Sequence, residues 1–195
     1  MSSNYWVRRF IVLEELSACW KEIDNKEEVF DEIMTTYGQE LLHLVFSYVK
    51  NEAIAEELTQ DIFVKVYYSI HKYKGKSSFR TWLWRIAINH CKDYLKSWYT
   101  KNVIKVDDEY IYGEDSKENI EQAIVQKEEE QWLVQAVMSL PILYREIIFL
   151  FYFEELTIKE IARIIGVNEN TIKTRLRRAK QLLKKIGDEE KWKND

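Results

Sequence analysis

Residues that break helices or cross-link chains are scarce in this 195-residue sequence, which has two cysteines, one proline and five glycines. So little proline and glycine excludes a turn-rich all-β fold and favours long helices. Cys19 and Cys91 are far apart and neither has a metal-ligand spacing, so we expect both to be reduced and buried, in a cytoplasmic protein. The longest apolar runs, around Leu41–Val49 and Ile147–Phe153, are too short to cross a bilayer, which predicts no stable membrane insertion.

The charged residues are strongly segregated, although the formal net charge is only -4. Residues 65–101 carry nine bases and one acid, and residues 171–185 carry seven bases and no acid. Residues 107–130, between them, carry ten acids and two bases, and residues 14–32 carry eight acids and two bases. Each basic block acts on a partner within a Debye length of roughly 8–10 Å whatever the total charge is. The two basic blocks therefore favour nucleic-acid contacts in spite of the acidic total.

Helical periodicity extends over most of the chain, and no segment alternates with the period of two that is typical of strands. Asn51 and Ser78 are plausible helix caps, and the helix after Ser78 should run to about Trp98. The predicted fold is all-α, with two small helical domains joined by a flexible acidic linker and a helix-turn-helix in the second domain. The predicted ranges are an N-terminal extension at 1–25, a helical domain at 26–98, a linker at 99–120, a helical domain at 121–187 and a tail at 188–195.

The most specific pattern lies in residues 156–185. Thr157 and Glu160 have the spacing of a capping box at the start of a short helix. Gly166 follows that helix where a tight turn needs a residue able to take a positive φ, and Asn168 begins the last helix. The apolar positions of the last helix leave its bases on the outer face. This pattern predicts a helix-turn-helix, whose second helix reads base edges in the major groove.

Residues 55–70 form an amphipathic helix with an acid and amide patch on its outer face. Glu57, Gln60 and Asp61 lie there beside Val64, which suits docking on a basic protein surface, although most such faces are simply solvated.

The basic loop 71–78 and helix 79–98 have a pattern that suits single-stranded DNA. The basic side chains neutralise the phosphate backbone of the DNA, and the aromatic side chains interleaved with them provide platforms for unstacked nucleobases. Core packing is the alternative for Phe79 and Trp82, and we favour it for both. Phe79, Trp82, Leu83, Ile86, Ala87 and His90 are expected to form the core stripe of this helix.

Three segments together resemble bacterial sigma factors of the extracytoplasmic-function (ECF) class: AEELTQDIFVKVY, SSFRTWLWRIAINHCKDYL and LTIKEIARIIGVNENTIKTRLRRAK. The resemblance covers about residues 26–187. It implies a non-enzymatic factor, without metal or cofactor, that directs core RNA polymerase to a set of promoters. The implied partners are the clamp helices of the polymerase largest subunit, promoter DNA and an anti-sigma factor.

The resemblance assigns three groups of residues to these contacts. The polymerase set, expected on the clamp helices, consists of Glu57, Gln60 and Asp61. The −10 set, expected to open and read the −10 element, consists of Lys74, Lys76, Ser77, Ser78, Phe79, Arg80, Trp84, Arg85, Asn89, Lys92 and Lys96. The −35 set, expected to read the −35 element as duplex, consists of Asn170, Thr171, Lys173, Thr174, Arg175, Arg177 and Arg178. Within the −35 set, Arg175 is expected on a phosphate.

Two other functions fit parts of the sequence. A stand-alone DNA-binding regulator would share the helix-turn-helix and use residues 1–120 as a sensor or dimerisation domain, but a second DNA-like surface at 71–98 argues against it. An enzyme is disfavoured because His43, His71 and His90 share no ligand spacing, and because neither a phosphate loop nor a nucleophile with its base is present.

Overall fold

The computed structural model describes the backbone of residues 26–102 and 128–194, and the side chains of residues 26–99 and 132–188. The expected N-terminal extension, Cys19, most of the expected linker and residues 120–127 of the next expected helix lie outside these ranges. Within them the secondary structure is helical and contains no strand. The helices are α1 (Lys26–Val49), α2 (Glu52–Ser69), α3 (Phe79–Asn102), α4 (Glu128–Ser139), α5 (Ile142–Ile148), α6 (Ile158–Ile165) and α7 (Glu169–Asn194).

Side-chain caps begin α2 and α3 at the residues that the sequence predicts. Asn51 has an extended backbone, and its Oδ1 accepts a hydrogen bond of 3.0 Å from the amide of Ile54. Ser78 Oγ accepts from the amide of Thr81 at 3.2 Å at the start of α3. Each cap satisfies one of the amides that a helix leaves unpaired at its first turn. The α3 helix passes Trp98 and continues to Asn102, so the first residues of the expected linker are helical.

The helix-turn-helix has the predicted boundaries. Thr157 caps α6 in a complete capping box with Glu160, and the hydrogen bonds from Thr157 hold the pKa of the Glu160 carboxyl below its usual range. Gly166 ends α6 with a φ of 82°, in the left-handed region that glycine enters without a steric penalty. Asn168 Oδ1 accepts from the amide of Thr171 at 2.8 Å and caps α7.

A turn of π-helix at Phe149–Phe153 continues α5 and positions the residue that follows it. The amide of Glu154 donates to the carbonyl of Phe149 at 3.1 Å, which closes the wide turn. Glu155 then takes a φ of 52°, and the chain turns into α6. As a result, Glu154 points inward and is buried while Glu155 is exposed.

The two helical regions pack against each other as well as internally. Helices α1, α2 and α3 form one group, and α5, α6 and α7 form the other. Between the groups, α3 contacts α6 and α1 contacts α5. The buried apolar residues of both groups form one continuous cluster, from Ile33 in α1 to Ala179 in α7.

Because α3 contacts α6 of the other group as well as α1 and α2 of its own, it is buried on a wider face than its sequence predicts. Trp84, Ile88 and Cys91 are fully buried, while the expected core residues Trp82, Ile86 and His90 are only half-buried. The predicted burial of Cys91 is confirmed, and burial raises the pKa of its thiol to about 12.

Candidate functional site

The polymerase set lies on the outer face of α2, as predicted. Glu57, Gln60 and Asp61 are all exposed, and Val64 beside them is 54% exposed. An open apolar depression of about 350 Å³ adjoins this patch, lined by Phe30, Met34, Gln60, Phe63, Val64, Tyr67 and Tyr68. The α2 face therefore offers carboxylates next to an apolar surface, which suits a protein partner carrying both basic and apolar side chains.

Part of the −10 set is accessible from solvent. The loop residues Lys74 and Lys76 and the α3 residues Arg85, Asn89 and Lys96 are exposed. Ser77 and Ser78 are half-buried and stabilise the loop instead. The carbonyl of Ser77 accepts a hydrogen bond from the Tyr73 hydroxyl, and Ser78 caps α3.

Two aromatic members of the −10 set, Phe79 and Trp84, are buried in this structure. Phe79 is 1% exposed and its ring lies 5.6 Å from those of Tyr73 and Trp82, so the core alternative considered for Phe79 is correct. Trp84 is completely buried, and its indole Nε1 donates a hydrogen bond of 2.9 Å to Glu154 Oε2. A buried indole normally needs such an acceptor, and Glu154 of the second region supplies it.

Two cations of the −10 set are paired with carboxylates of the second region. Arg80 Nη2 lies 2.5 Å from Glu154 Oε2 and 3.2 Å from Glu40 Oε2, and Nη1 donates to the Glu154 carbonyl at 3.0 Å. Lys92 Nζ lies 3.1 Å from Glu146 Oε2. Both cations are half-buried, so a DNA strand can reach them only after these carboxylates release them.

The −35 set divides into outward and inward residues. Asn170, Lys173, Thr174, Arg177 and Arg178 are exposed on α7.

The other two members of the −35 set are already engaged. Thr171 is half-buried and its amide donates to the cap residue Asn168. Arg175, expected on a phosphate, is half-buried with Nη1 3.7 Å from Glu146 Oε1, so the structure gives it a carboxylate partner instead. The exposed residues form a basic face with the composition that contacts base edges and phosphates in a major groove.

Sequence reasoning missed two buried carboxylates between the regions, Glu146 and Glu154, which are 1% and 4% exposed. The Tyr48 hydroxyl donates to Glu146 Oε2 at 2.7 Å, and burial followed by this carboxylate raises the pKa of Tyr48 well above its usual value. Burial also raises the pKa of Glu154 to about 7, although Arg80 and the Trp84 indole act in the opposite direction. The sequence signal was available, because both acids lie in the strongly apolar stretch 140–156, where an acid is expensive to bury without partners.

Residues 26–102 and 128–194 contain no group of three or more His, Cys, Asp or Glu side chains placed to hold a metal ion. Over the same residues, no helix has the length and apolar character needed to span a bilayer.

Comparisons with known proteins match both regions. The family described as sigma-70 region 2 matches residues 33–99, and sigma-70 region 4 matches residues 130–183. RNA polymerase sigma factor SigV of Bacillus subtilis is 32% identical over 151 residues, which cover 77% of this chain and 86% of that protein. The ECF sigma factor SigM of the same organism is 32% identical over 156 residues, which cover 80% and 93%.

The fold also matches a solved structure. The sigma factor RpoE of Bartonella quintana, in complex with the anti-sigma factor NepR, superposes with a TM-score of 0.67 at 20% identity. The superposition covers 83% of this chain and 98% of RpoE.

Proposed function

The chain belongs to the ECF class of bacterial RNA polymerase sigma factors, promoter-specific factors of transcription initiation, and we propose that its two helical regions divide promoter recognition between them. In this division, region 2 is the N-terminal helical region, which binds the polymerase and opens the −10 element. Region 4 is the C-terminal helical region, which reads the −35 element as duplex DNA. The match to region 2 over residues 33–99 argues against the stand-alone regulator, which would need a sensor there.

The observation that carries the proposal for region 4 is the exposed basic face of α7. Lys173, Thr174, Arg177 and Arg178 are directed away from the core by the buried positions Ile172, Leu176 and Ala179. The capping box and Gly166 fix the angle at which α7 leaves the turn. Arginine and lysine side chains suit guanine O6 and N7, and threonine suits either a base or a phosphate.

The proposal for region 2 is carried by the exposed patch on α2 and by the bases of α3. Glu57, Gln60 and Asp61 are the candidate contacts to the clamp helices of the polymerase largest subunit. Arg85, Asn89 and Lys96, with the loop lysines Lys74 and Lys76, are the candidate contacts to the opened −10 strand. The remaining cations of the −10 set, Arg80 and Lys92, join them only when their carboxylate partners release them.

Charge reversal on α2 tests the polymerase contact. Asp61→Arg should abolish co-purification with core RNA polymerase, because it places a cation against a basic docking surface. Asp31→Arg is the matched control, since Asp31 is an exposed acid on a different helix. The readout is holoenzyme capture from purified core polymerase, with circular dichroism to confirm the fold. Capture of Asp61→Arg at the level of the control excludes this docking face.

An anti-sigma factor is the third partner in the proposal, and the cytoplasm is the compartment, because polymerase and promoter meet there. The structure of RpoE, whose fold this chain resembles, was solved in complex with the anti-sigma factor NepR, and this supports a partner of the same kind for the chain. The proposal assigns no enzymatic activity, metal or cofactor to the chain, because sigma factors act by binding.

A further inference from the structure

Two buried glutamates of region 4 hold the face of region 2 that is proposed to meet the −10 element. We propose that Glu146 and Glu154 form a clasp that keeps the free protein closed and occupies Arg80, Trp84 and Lys92 of the −10 set, so that the regions must separate before these three residues reach the promoter. The name glutamate clasp refers to these two residues with Tyr48, Arg80, Trp84 and Lys92. The inference rests on the proposed function of the −10 set.

Glu154 is the stronger half of the clasp. Its carboxylate accepts from the Arg80 guanidinium and from the Trp84 indole, both on α3 of the other region. Its carbonyl accepts a second Arg80 N–H, so one residue holds the guanidinium at two points. A carboxylate with 4% exposure needs such donors, because burying an unpaired charge is costly. Glu154 therefore favours the closed arrangement in which α3 supplies them.

Glu146 links three helices through its two oxygens. Oε2 receives the Tyr48 hydroxyl from α1 and the Lys92 ammonium from α3, and Oε1 faces Arg175 of its own region. One carboxylate thus neutralises a cation from the −10 set and a cation from the −35 set. Opening the clasp frees Lys92 for DNA and leaves Glu146 with Arg175.

The clasp and a DNA strand compete for the same groups. Arg80 and Lys92 cannot make these contacts and meet a phosphate at the same time, and Trp84 has no surface in the closed form. The outer face of α7 stays exposed, and Arg177 and Arg178 are among its exposed cations. Closure therefore occupies Arg80, Trp84 and Lys92 of the −10 set, leaves its other cations exposed, and leaves the outer face of α7 accessible.

A charge reversal at Glu154 tests the clasp with a distance measurement that does not depend on DNA. Glu154→Lys places a cation against Arg80, and Glu155→Lys makes the same change at the neighbouring, exposed position. Dyes are attached to cysteines placed at the exposed positions Glu56 and Lys184, one in each region, in a protein with Cys19→Ser. Native Cys91 stays unlabelled, because it is buried and its thiol pKa is raised to about 12.

We expect energy transfer to fall in Glu154→Lys and to stay unchanged in Glu155→Lys. Circular dichroism and thermal melting of Glu154→Lys that match those of Glu155→Lys show that region 4 remains folded. Affinity for short single-stranded DNA of randomised sequence should rise in Glu154→Lys relative to Glu155→Lys, because the apparent affinity for a strand is reduced by the fraction of protein that is closed.

Energy transfer that is equal in Glu154→Lys and Glu155→Lys overturns the clasp, whether both variants retain it or both lose it. Run-off transcription with core polymerase separates this result from the proposed function. If the unsubstituted chain yields promoter-dependent transcripts while the energy transfer is insensitive to Glu154, the function stands and the clasp fails. If no protein supports transcription, the proposed function fails whatever the distance measurement gives.

Discussion

Proton uptake by Glu154 should make closure of the free protein depend on pH. Burial raises the pKa of this carboxyl from 4.5 to about 7 in the closed form, against the opposing influence of Arg80, and Glu40 on α1 adds to the rise. In the open form the side chain is solvated and should titrate near its ordinary value. Because the raised pKa belongs to the closed form, closure is most favoured below pH 4.5 and is progressively lost as the pH rises through 7.

The magnitude follows from the two pKa values. Between pH 6 and pH 8 the open form stays ionised, while the closed form changes from mostly protonated to mostly ionised. With a closed-form pKa of about 7, the ratio of closed to open protein should fall about tenfold over this interval. Neutral Glu154 retains the geometry of the contact, and its ionisation adds the desolvation cost of a buried charge.

Energy transfer between labels at positions 56 and 184, recorded from pH 6 to pH 8, measures this change. Glu154→Gln is the decisive comparison, because the amide imitates the protonated carboxyl and cannot titrate. The ratio of closed to open protein in the variant should stay constant up to pH 8, whereas the ratio in the parent protein should fall. The measure is the difference between the two profiles, because any pH effect that does not arise at Glu154 is common to both proteins. Identical pH profiles, or a parent protein that closes as the pH rises, would refute the assignment to Glu154.

Two further predictions concern the helix-turn-helix and the helical backbone. Arg178→Ala should cost about 1–3 kcal/mol of binding free energy at the base that Arg178 reads and relax specificity there, whereas Lys184→Ala, two turns away, should not. The assay is binding to a randomised duplex library, and an unchanged base preference in Arg178→Ala refutes the contact. Gly166→Ala should destabilise by about 1–2 kcal/mol because φ is 82°, although no atom lies within 4 Å of the added Cβ. Gly38→Ala, equally open but inside α1, should instead stabilise by about 1 kcal/mol, and thermal melts that move in the same direction for both would contradict this account.

Helix boundaries were predictable because their causes lie within a few residues of each other. Asn51, Ser78 and Thr157 begin helices through hydrogen bonds to amides three residues ahead. Gly166 ends one through its own backbone conformation. The inward positions of α7 were predictable for the same reason, since one apolar stripe at helical spacing meets one core.

The buried face of α3 could not be predicted in full, because a single stripe presupposes a single packing partner. Trp84 and Ile88 are buried because α3 lies between its own region and α6 of the other. Contacts between regions join residues some 70 positions apart, such as Trp84 and Glu154, and no local pattern encodes them. The exposed members of the three sets were therefore predictable from sequence, whereas the occupied ones were not.

The pairing of cations with Glu146 and Glu154 has a consequence for the response to ionic strength. Arg80 and Lys92 already have carboxylate partners in the free protein, so binding DNA exchanges one anion for another at these two positions. Counterions leave the DNA when a cation reaches a phosphate, and this release makes nucleic-acid binding weaken as salt is added. Added salt also screens the attraction between these cations and the glutamates, although less strongly where the pairs are buried. The two effects oppose each other, so the measured salt dependence of promoter binding by this chain should be shallower than the number of its phosphate contacts would give.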